Sequence, residues 1–283
     1  IPLKNYDKEI VITADGHTVF PLFFPGGDLG KLSICGTVND ILMMGAEPLA
    51  LSSIYIIEEG FSFDILGKIV KSFNQTAKKA GIAIIAGDTK VMPKTTLNEI
   101  IIATSGIGIK DKAIKICDNN LKIGDKIIVT GSIGDHGAAL MAKREGLNLS
   151  TNLSSDLAFL KEISLAIKED IKQNHIHAMK DPTRGGIASA LNEWSLKSDV
   201  SIWLEEDTIP IKDEVSSICD ILGLEPFNIA CEGRALIAVA QNYVNTVLQK
   251  IKNTNLGKDA RIIGEVKSEK SKKVFLKTLI GGT

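Results

Sequence analysis

The stretch "KLSICGTVNDILMMGAEP", residues 31–48, constrains this chain more than any other. Between Lys31 and Glu47 its only charge is Asp40, set among Leu, Ile, Cys, Val and Met on nearly every face. A helix that is apolar all round has to be buried, so a helix over Leu29–Gly45 must lie inside the fold. An ionised carboxylate there is costly unless it is paired or bound to a cation. Asp40 is therefore either a functional group or a carboxylate satisfied by a lysine or by helix N-termini.

The segments around it alternate between two periods. β-branched runs bounded by glycine predict strands at Glu9–Thr13, Ala50–Ile57, Ile82–Ala86 and Glu99–Ile109, and the spacing of Ile65, Ile69, Val70 and Phe73 predicts a helix over Asp64–Ala80. The charged, Asn-rich run "KDKAIKICDNNLKIGDK" reads as a linker. Beyond it strands are expected at Lys126–Thr130, Val200–Leu204, Arg234–Ala240, Ala260–Val266 and Val274–Thr278. Helices are expected at Asp135–Glu145, Ser155–Glu169, Gly185–Lys197, Asp213–Leu222 and Tyr243–Asn253. At 283 residues the chain exceeds the usual size of one core. The expectation is an α/β (α+β) fold of two domains, residues 1–112 and 113–283.

A net charge of −1 argues against a broad nucleic-acid surface, and the basic run Lys267–Lys273 reads as a solvated hairpin turn. Cys35, Cys117, Cys219 and Cys231 have no zinc-like spacing and are expected to be buried thiols in a reducing cytosol. No apolar run reaches membrane-span length and no signal-peptide pattern opens the chain, so a cytoplasmic protein is expected. His175 and His177 read as surface residues, and His136 as a satisfied cap.

"FPGGDLGK", residues 24–31, comes close to the phosphate-binding loop, but Pro25 stands at the first glycine position and Leu32 at the Ser/Thr position. Its glycines are better explained as a tight turn into the buried helix. Three further acids end strands or open turns: Asp15 in "TADG", Asp88 in "AGDTK" and Asp181 in "DPTRGG". Each alone is an ordinary turn residue. With Asp40 they make an oxygen-ligand set suited to Mg²⁺ and phosphate. Arg184, Gly185 and Gly186 add a guanidinium and free N–H groups at a helix start, the chemistry of an anion site; a capped helix with a surface arginine is the alternative. Lys90 follows Asp88 closely enough to reach the same phosphates. Glu232, in "CEGR", suits a general base, or else pairs with Arg234.

"TADG", "PLFFPGGDLGKL", "TVNDILMMGAEPL", "AGDTKV", "GDHGAA", "DPTRGG" and "CEGR", in that order, resemble the HypE family of hydrogenase maturation proteins, ATP-dependent carbamoyl dehydratases. The family lies in the wider superfamily of aminoimidazole ribonucleotide synthetase, selenophosphate synthetase and thiamine-monophosphate kinase. The resemblance implies an N-terminal mixed sheet that pairs with a second copy into a barrel-like homodimer, and a C-terminal α/β sandwich. It implies ATP and Mg²⁺ in a cleft near that interface. It further implies dehydration of a thiocarboxamide on a C-terminal cysteine to a thiocyanate, with HypF as carbamoyl donor and a HypC–HypD complex as cyanide acceptor for [NiFe]-hydrogenase. By motif matching, Asp15, Asp40, Asp88 and Asp181 are the metal and phosphate-side residues, Lys90 stabilises oxygen charge and Glu232 accepts the proton. Family members carry a glycine-rich segment before the first strand and a P-R-I-C-type tail. This sequence starts at Ile1 and stops at "LIGGT", so both are expected outside it. The rivals are a selenophosphate synthetase or small-molecule kinase of the same superfamily, and a dimeric scaffold that binds nucleotide without chemistry.

Overall fold

A computed structural model describes residues 1–3, 6–147, 152–269 and 272–282. In the first half the order is β1 (Lys8–His17), β2 (Phe23–Phe24), β3 (Gly27–Asp28), α1 (Leu29–Met43), β4 (Glu47–Glu58), α2 (Phe63–Ala80), β5 (Ala83–Met92) and β6 (Ile100–Asp111). In the second half come β7 (Lys126–Val129), α3 (Asp135–Arg144), α4 (Lys161–Ala166), α5 (Lys168–Lys172), β8 (Ile176–Lys180), α6 (Gly186–Ser198) and β9 (Ser201–Glu205). They are followed by α7 (Asp213–Leu222), β10 (Leu236–Val239), α8 (Val244–Lys252), β11 (Arg261–Lys267) and β12 (Val274–Lys277).

The first half forms a four-stranded sheet of order β1-β6-β4-β5, and the second a six-stranded sheet of order β12-β9-β11-β7-β10-β8. In the first sheet only β4 and β5 run parallel, because α2 carries the chain back across the sheet between them. The result is a mixed α/β protein in which the sheets share no strand. The halves nevertheless share a core: Leu32, Val38 and Leu42 of α1 belong to the same apolar cluster as Leu157, Leu160 and Ile163 of the second half.

The approach of α1 to its neighbours is set by missing side chains. On the sheet side, a Cβ on Gly106 or Gly108 of β6 would collide with Ile41. On the other side, a Cβ on Gly30 would run into the backbone of α2 at Ile69 and Phe73. The stretch "FPGGDLGK" supplies the entry. Phe23–Phe24 pair with Gly27–Asp28 in a short hairpin, Gly26 takes a φ of 94° there, and Asp28 caps α1 by accepting the Lys31 N–H at 3.0 Å. Ser72 of α2 donates to the other Asp28 oxygen at 2.7 Å, and Lys31 Nζ donates to the Gly26 carbonyl at 2.9 Å. The lysine thus closes the turn rather than facing outward for phosphate.

Several expectations are corrected. The helix expected over Ser155–Glu169 is an irregular stretch up to residue 160 followed by the short α4 and α5, and the strand β8 was not foreseen. Lys267–Lys273 is not a hairpin turn, since β12 pairs parallel with β9 and not with β11; residues 270 and 271 of that run lie outside the described residues. His177 is buried, its Nδ1 lying 2.8 Å from a carboxylate oxygen of Asp125, and His175 stacks on Tyr243. Cys117 is exposed, while the other three thiols are buried. His136 is buried against Ser155 and Phe24, and burial, reinforced by Arg144, pushes its pKa down to about 4. Among the described residues no helix is long and apolar enough to cross a membrane.

Because Gly30 meets backbone rather than a flexible side-chain tip, Gly30→Ala is expected to lower stability by about 2–3 kcal/mol. A urea midpoint within error of the parent would show that α1 and α2 are not locked as described.

Candidate active site

Alternate residues of β1 face the same way, so Thr13, Asp15 and His17 all lie beneath α1. Thr13 Oγ1 donates to Asp40 Oδ2 at 2.7 Å, and Thr37 Oγ1, one turn earlier on α1, donates to Asp15 Oδ2 at 2.8 Å. His17 Nε2 lies 3.0 Å from Thr104 Oγ1 of β6 and 3.3 Å from Thr37 Oγ1. Burial holds His17 below the usual histidine range, against the upward pull of Asp15. The two acids are thus braced by hydroxyl groups from β1 and α1 and by a neutral-leaning imidazole, and among the described residues neither forms an ion pair.

The second half adds two more acids. Asp181 follows β8, and Glu232 sits in the turn before β10. Burial first, then repulsion from Asp15, raises Asp40 to about 6, partly offset by Thr13 and Lys180. Burial and the charge of Asp40 raise Asp181 to about 7. Burial pushes Glu232 well above the carboxylate range, with Asp181, Asp156, Asp40 and Asp15 adding to the rise. Carboxylates from distant positions in the sequence therefore share one electrostatic environment, which Lys180 offsets only in part and in which, among the described residues, none of the four forms an ion pair.

The Glu232 turn is held by residues that sequence reasoning missed. Asp156 accepts the N–H groups of Glu232 and Gly233 at 3.1 and 3.3 Å. Asn39, beside Asp40 on α1, donates to the carbonyls of Ala158 and Glu232 at 3.0 and 3.5 Å and accepts the Leu160 N–H at 3.0 Å. Asn39 was open to the same reasoning as Asp40, because any polar group on an all-apolar helix needs a partner. Asp156 carried no comparable signal in "NLSSDLAFL". Arg234 does not pair with Glu232; it reaches Asp135, Asp156 and the Ser132 carbonyl.

Beside Asp181 the chain turns into α6 through Gly185 and Gly186, with φ of 76° and 58°. Gly186 presses so closely on the Phe227 and Ile229 carbonyls that no side chain fits. Arg184 is exposed and, among the described residues, makes no ion pair or hydrogen bond. The Gly186 N–H donates to the Thr183 carbonyl at 3.0 Å, so a guanidinium and, among the described residues, the unpaired N–H groups of Ile187 and Ala188 are what the helix start offers next to the acids.

Asp88 and Lys90 are not brought to this group. They lie exposed on the edge strand β5, in register with Ile54 and Ile56 of β4 and on the face of the sheet turned away from α1. Among the described residues no three His, Cys, Asp or Glu side chains converge closely enough to hold a metal ion unaided. The acids suit a hard cation that takes one or two carboxylates and completes its shell from phosphate oxygens and water, which is the habit of Mg²⁺.

Comparison with known proteins agrees with this architecture. Residues 2–110 match the N-terminal domain of AIR synthase related protein and residues 122–277 its C-terminal domain. A hydrogenase expression/formation protein of Methanocaldococcus jannaschii is 52% identical over 97% of this chain and 81% of its own. The carbamoyl dehydratase HypE of Rhizobium leguminosarum is 43% identical over 96% and 78%. Among solved structures, a HypE–HypF complex has a TM-score of 0.92 at 44% identity over 96% of this chain and 88% of that one. A HypE in complex with ATP has a TM-score of 0.93 at 35% identity over 100% and 84%.

A carboxyl whose folded pKa is raised makes the native state bind more protons than the unfolded one, so its ionisation costs stability as pH rises. For Asp40 that loss runs from its ordinary 3.8 up through about 6. Without nucleotide or metal, Asp40→Asn is therefore expected to be more stable than the parent by on the order of 2 kcal/mol at about pH 8, and nearly equal to it at about pH 4. Thermal unfolding at both pH values checks this. A variant less stable at the higher pH would mean that Asp40 is neutralised by a partner.

Proposed function

This chain belongs to the AIR synthase-related family in its HypE branch, and from that membership we propose that it dehydrates a carbamoyl group in an ATP-dependent step of hydrogenase maturation. The observation that carries the reading is the convergence of Asp15, Asp40, Asp181 and Glu232 from both halves of the fold, with Lys180 offsetting their mutual repulsion only in part.

The chemical problem is that the oxygen of a thiocarboxamide, R–S–C(=O)–NH₂, is a poor leaving group. ATP is the substrate that solves it: the γ-phosphoryl group moves to the carbamoyl oxygen, ADP leaves, and one of the two N–H protons passes to solvent, which gives R–S–C(OPO₃²⁻)=NH. Loss of the remaining N–H proton then expels phosphate, and the nitrogen lone pair closes R–S–C≡N. One or two of Asp15, Asp40 and Asp181 would hold Mg²⁺ together with phosphate oxygens and water, and the ion would offset phosphate charge when bound. Arg184 and the N–H groups of Ile187 and Ala188 at the start of α6 face the phosphate side. Glu232 accepts the proton. Its burial among other carboxylates makes it, once ionised, a stronger base than an exposed glutamate.

The outward face of the first sheet supports pairing with a second copy. Ile12, Ile54 and Ile107 lie there 56%, 43% and 38% exposed, with Ile12 and Ile107 cross-strand neighbours. An apolar patch of this kind on a strand face marks an interaction surface. Asp88 and Lys90 share it, and we assign them to the interface, one protomer supplying them to the cleft of its partner, with Lys90 offsetting oxygen charge. HypF as the carbamoyl donor and a HypC–HypD complex as the cyanide acceptor complete the reading.

Mass spectrometry of the chain carrying the P-R-I-C-type tail tests the reaction. After incubation with carbamoyl donor and ATP, the carbamoylated cysteine should lose one water, and the loss should vanish in Asp40→Asn. ATP consumption without that loss would overturn the assignment. Ile54→Lys should yield a monomer by light scattering, with turnover reduced at least about tenfold. A fully active monomer would remove Asp88 and Lys90 from the site.

A further inference from the structure

Past the C-terminal end of α1 the chain turns through Gly45 and Ala46 into β4. A cavity of about 360 Å³ opens there between that turn, the end of β6 and helices α4 and α5. Its size falls within the range of small-molecule sites. It lies away from the acids of the candidate active site and shares no lining residue with them.

Its walls are unusually basic. Lys8, Lys110, Lys161, Lys168 and Lys172 line it, against Glu47 and Asp111. Three of the lysines are engaged: Lys8 pairs with Asp111, Lys172 with Glu169 at 2.9 Å, and Lys161 Nζ donates to the Ala80 carbonyl at 3.0 Å. The ammonium groups of Lys110 and Lys168 make no hydrogen bond or ion pair among the described residues.

Lys110 is the informative one. It points to the α1 side of β6 and is only 8% exposed. Burial pushes its ammonium below the usual lysine range, opposed by its cross-strand neighbour Glu9 and by Cys117, and reinforced by Lys115. Its ammonium lines the cavity and, among the described residues, donates no hydrogen bond, with Glu9 acting on it only as a nearby charge, so an anion in the cavity would satisfy its donors. Leu42, Ile114 and Leu165 give the cavity apolar wall as well, which suits an organic body attached to the charge.

We propose that this cavity binds a small organic anion, carrying phosphate or carboxylate groups, whose charge is held by Lys110 at the base and Lys168 at the rim. The competing explanation needs no ligand: the C-terminal end of a helix carries partial negative charge and attracts ammonium groups, and α1 ends against this cavity. The reaction proposed above is not needed for either.

Calorimetric titration of the chain at low salt with inorganic pyrophosphate and, separately, citrate distinguishes them. Saturable binding of at least one is expected, and the two probes tell phosphate from carboxylate preference. Lys110→Met should weaken that binding roughly tenfold or more, the usual effect of losing a charge-assisted hydrogen bond. Arg184→Ala, which removes the free cation beside the acids, should leave it unchanged. Met keeps the length of the side chain and removes a buried charge, so this variant should unfold at the same temperature as the parent or higher. Lys168→Gln, on the exposed rim, should also weaken binding without touching the core. Absence of saturable binding by either probe, or binding that survives both lysine substitutions, would overturn the proposal.

Discussion

The close seating of α1 governs the rest of the structure. Ile41 rests on the bare backbone of Gly106 and Gly108, Gly30 admits the backbone of α2, and Asn39 reaches the second half through the carbonyls of Ala158 and Glu232. A helix held on three sides has little freedom to slide or turn, since close-packed interiors leave no room for either. Asp40 is therefore placed by packing from both halves. The single apolar cluster that spans the halves has the same consequence for Asp181 and Glu232, whose positions relative to Asp40 depend on how the second half docks on α1.

That rigidity works against electrostatics. Burial and mutual repulsion raise Asp40, Asp181 and Glu232, so the fold holds together groups that would separate if free. Thr13 and Thr37 orient Asp40 and Asp15 without cancelling their charge, and Asp156 fixes the turn that carries Glu232 by accepting two of its backbone N–H groups. Destabilisation kept in place by surrounding structure is characteristic of functional sites. A cation with its phosphate ligands relieves the repulsion only when it is bound, which couples occupancy to stability.

Much of this was legible in the sequence wherever a local rule applied. The burial of α1 followed from its lack of a polar face, and the suspicion of Asp40 followed from that burial. The βα alternation of the first half, the glycine-led start of α6 and the turn role of "FPGGDLGK" rested on period and backbone permissiveness. What failed was non-local. A run of lysines between two strands looks like a hairpin turn whether the strands pair with each other or, as here, β12 passes to the far side of β9. His177 looks like a surface residue until Asp125 is folded against it. Asp156 gave no hint, because its value lies in two backbone N–H groups more than seventy positions away.

The division follows from the range of the interactions. The sequence alone determined most of the helical and extended segments, though not β8 or the irregular stretch up to residue 160, that α1 is interior, and, by ordered motifs, the family. Periodicity, φ restrictions and side-chain chemistry act within a few residues. Tertiary structure decided which of those acids meet. It gathered Asp15, Asp40, Asp181 and Glu232, and left Asp88 and Lys90 on the opposite face of the first sheet. It turned Arg234 away from Glu232 and stranded Lys110 in a basic cavity. Each outcome depends on where distant segments are packed, and burial and charge act on whatever that packing brings within reach.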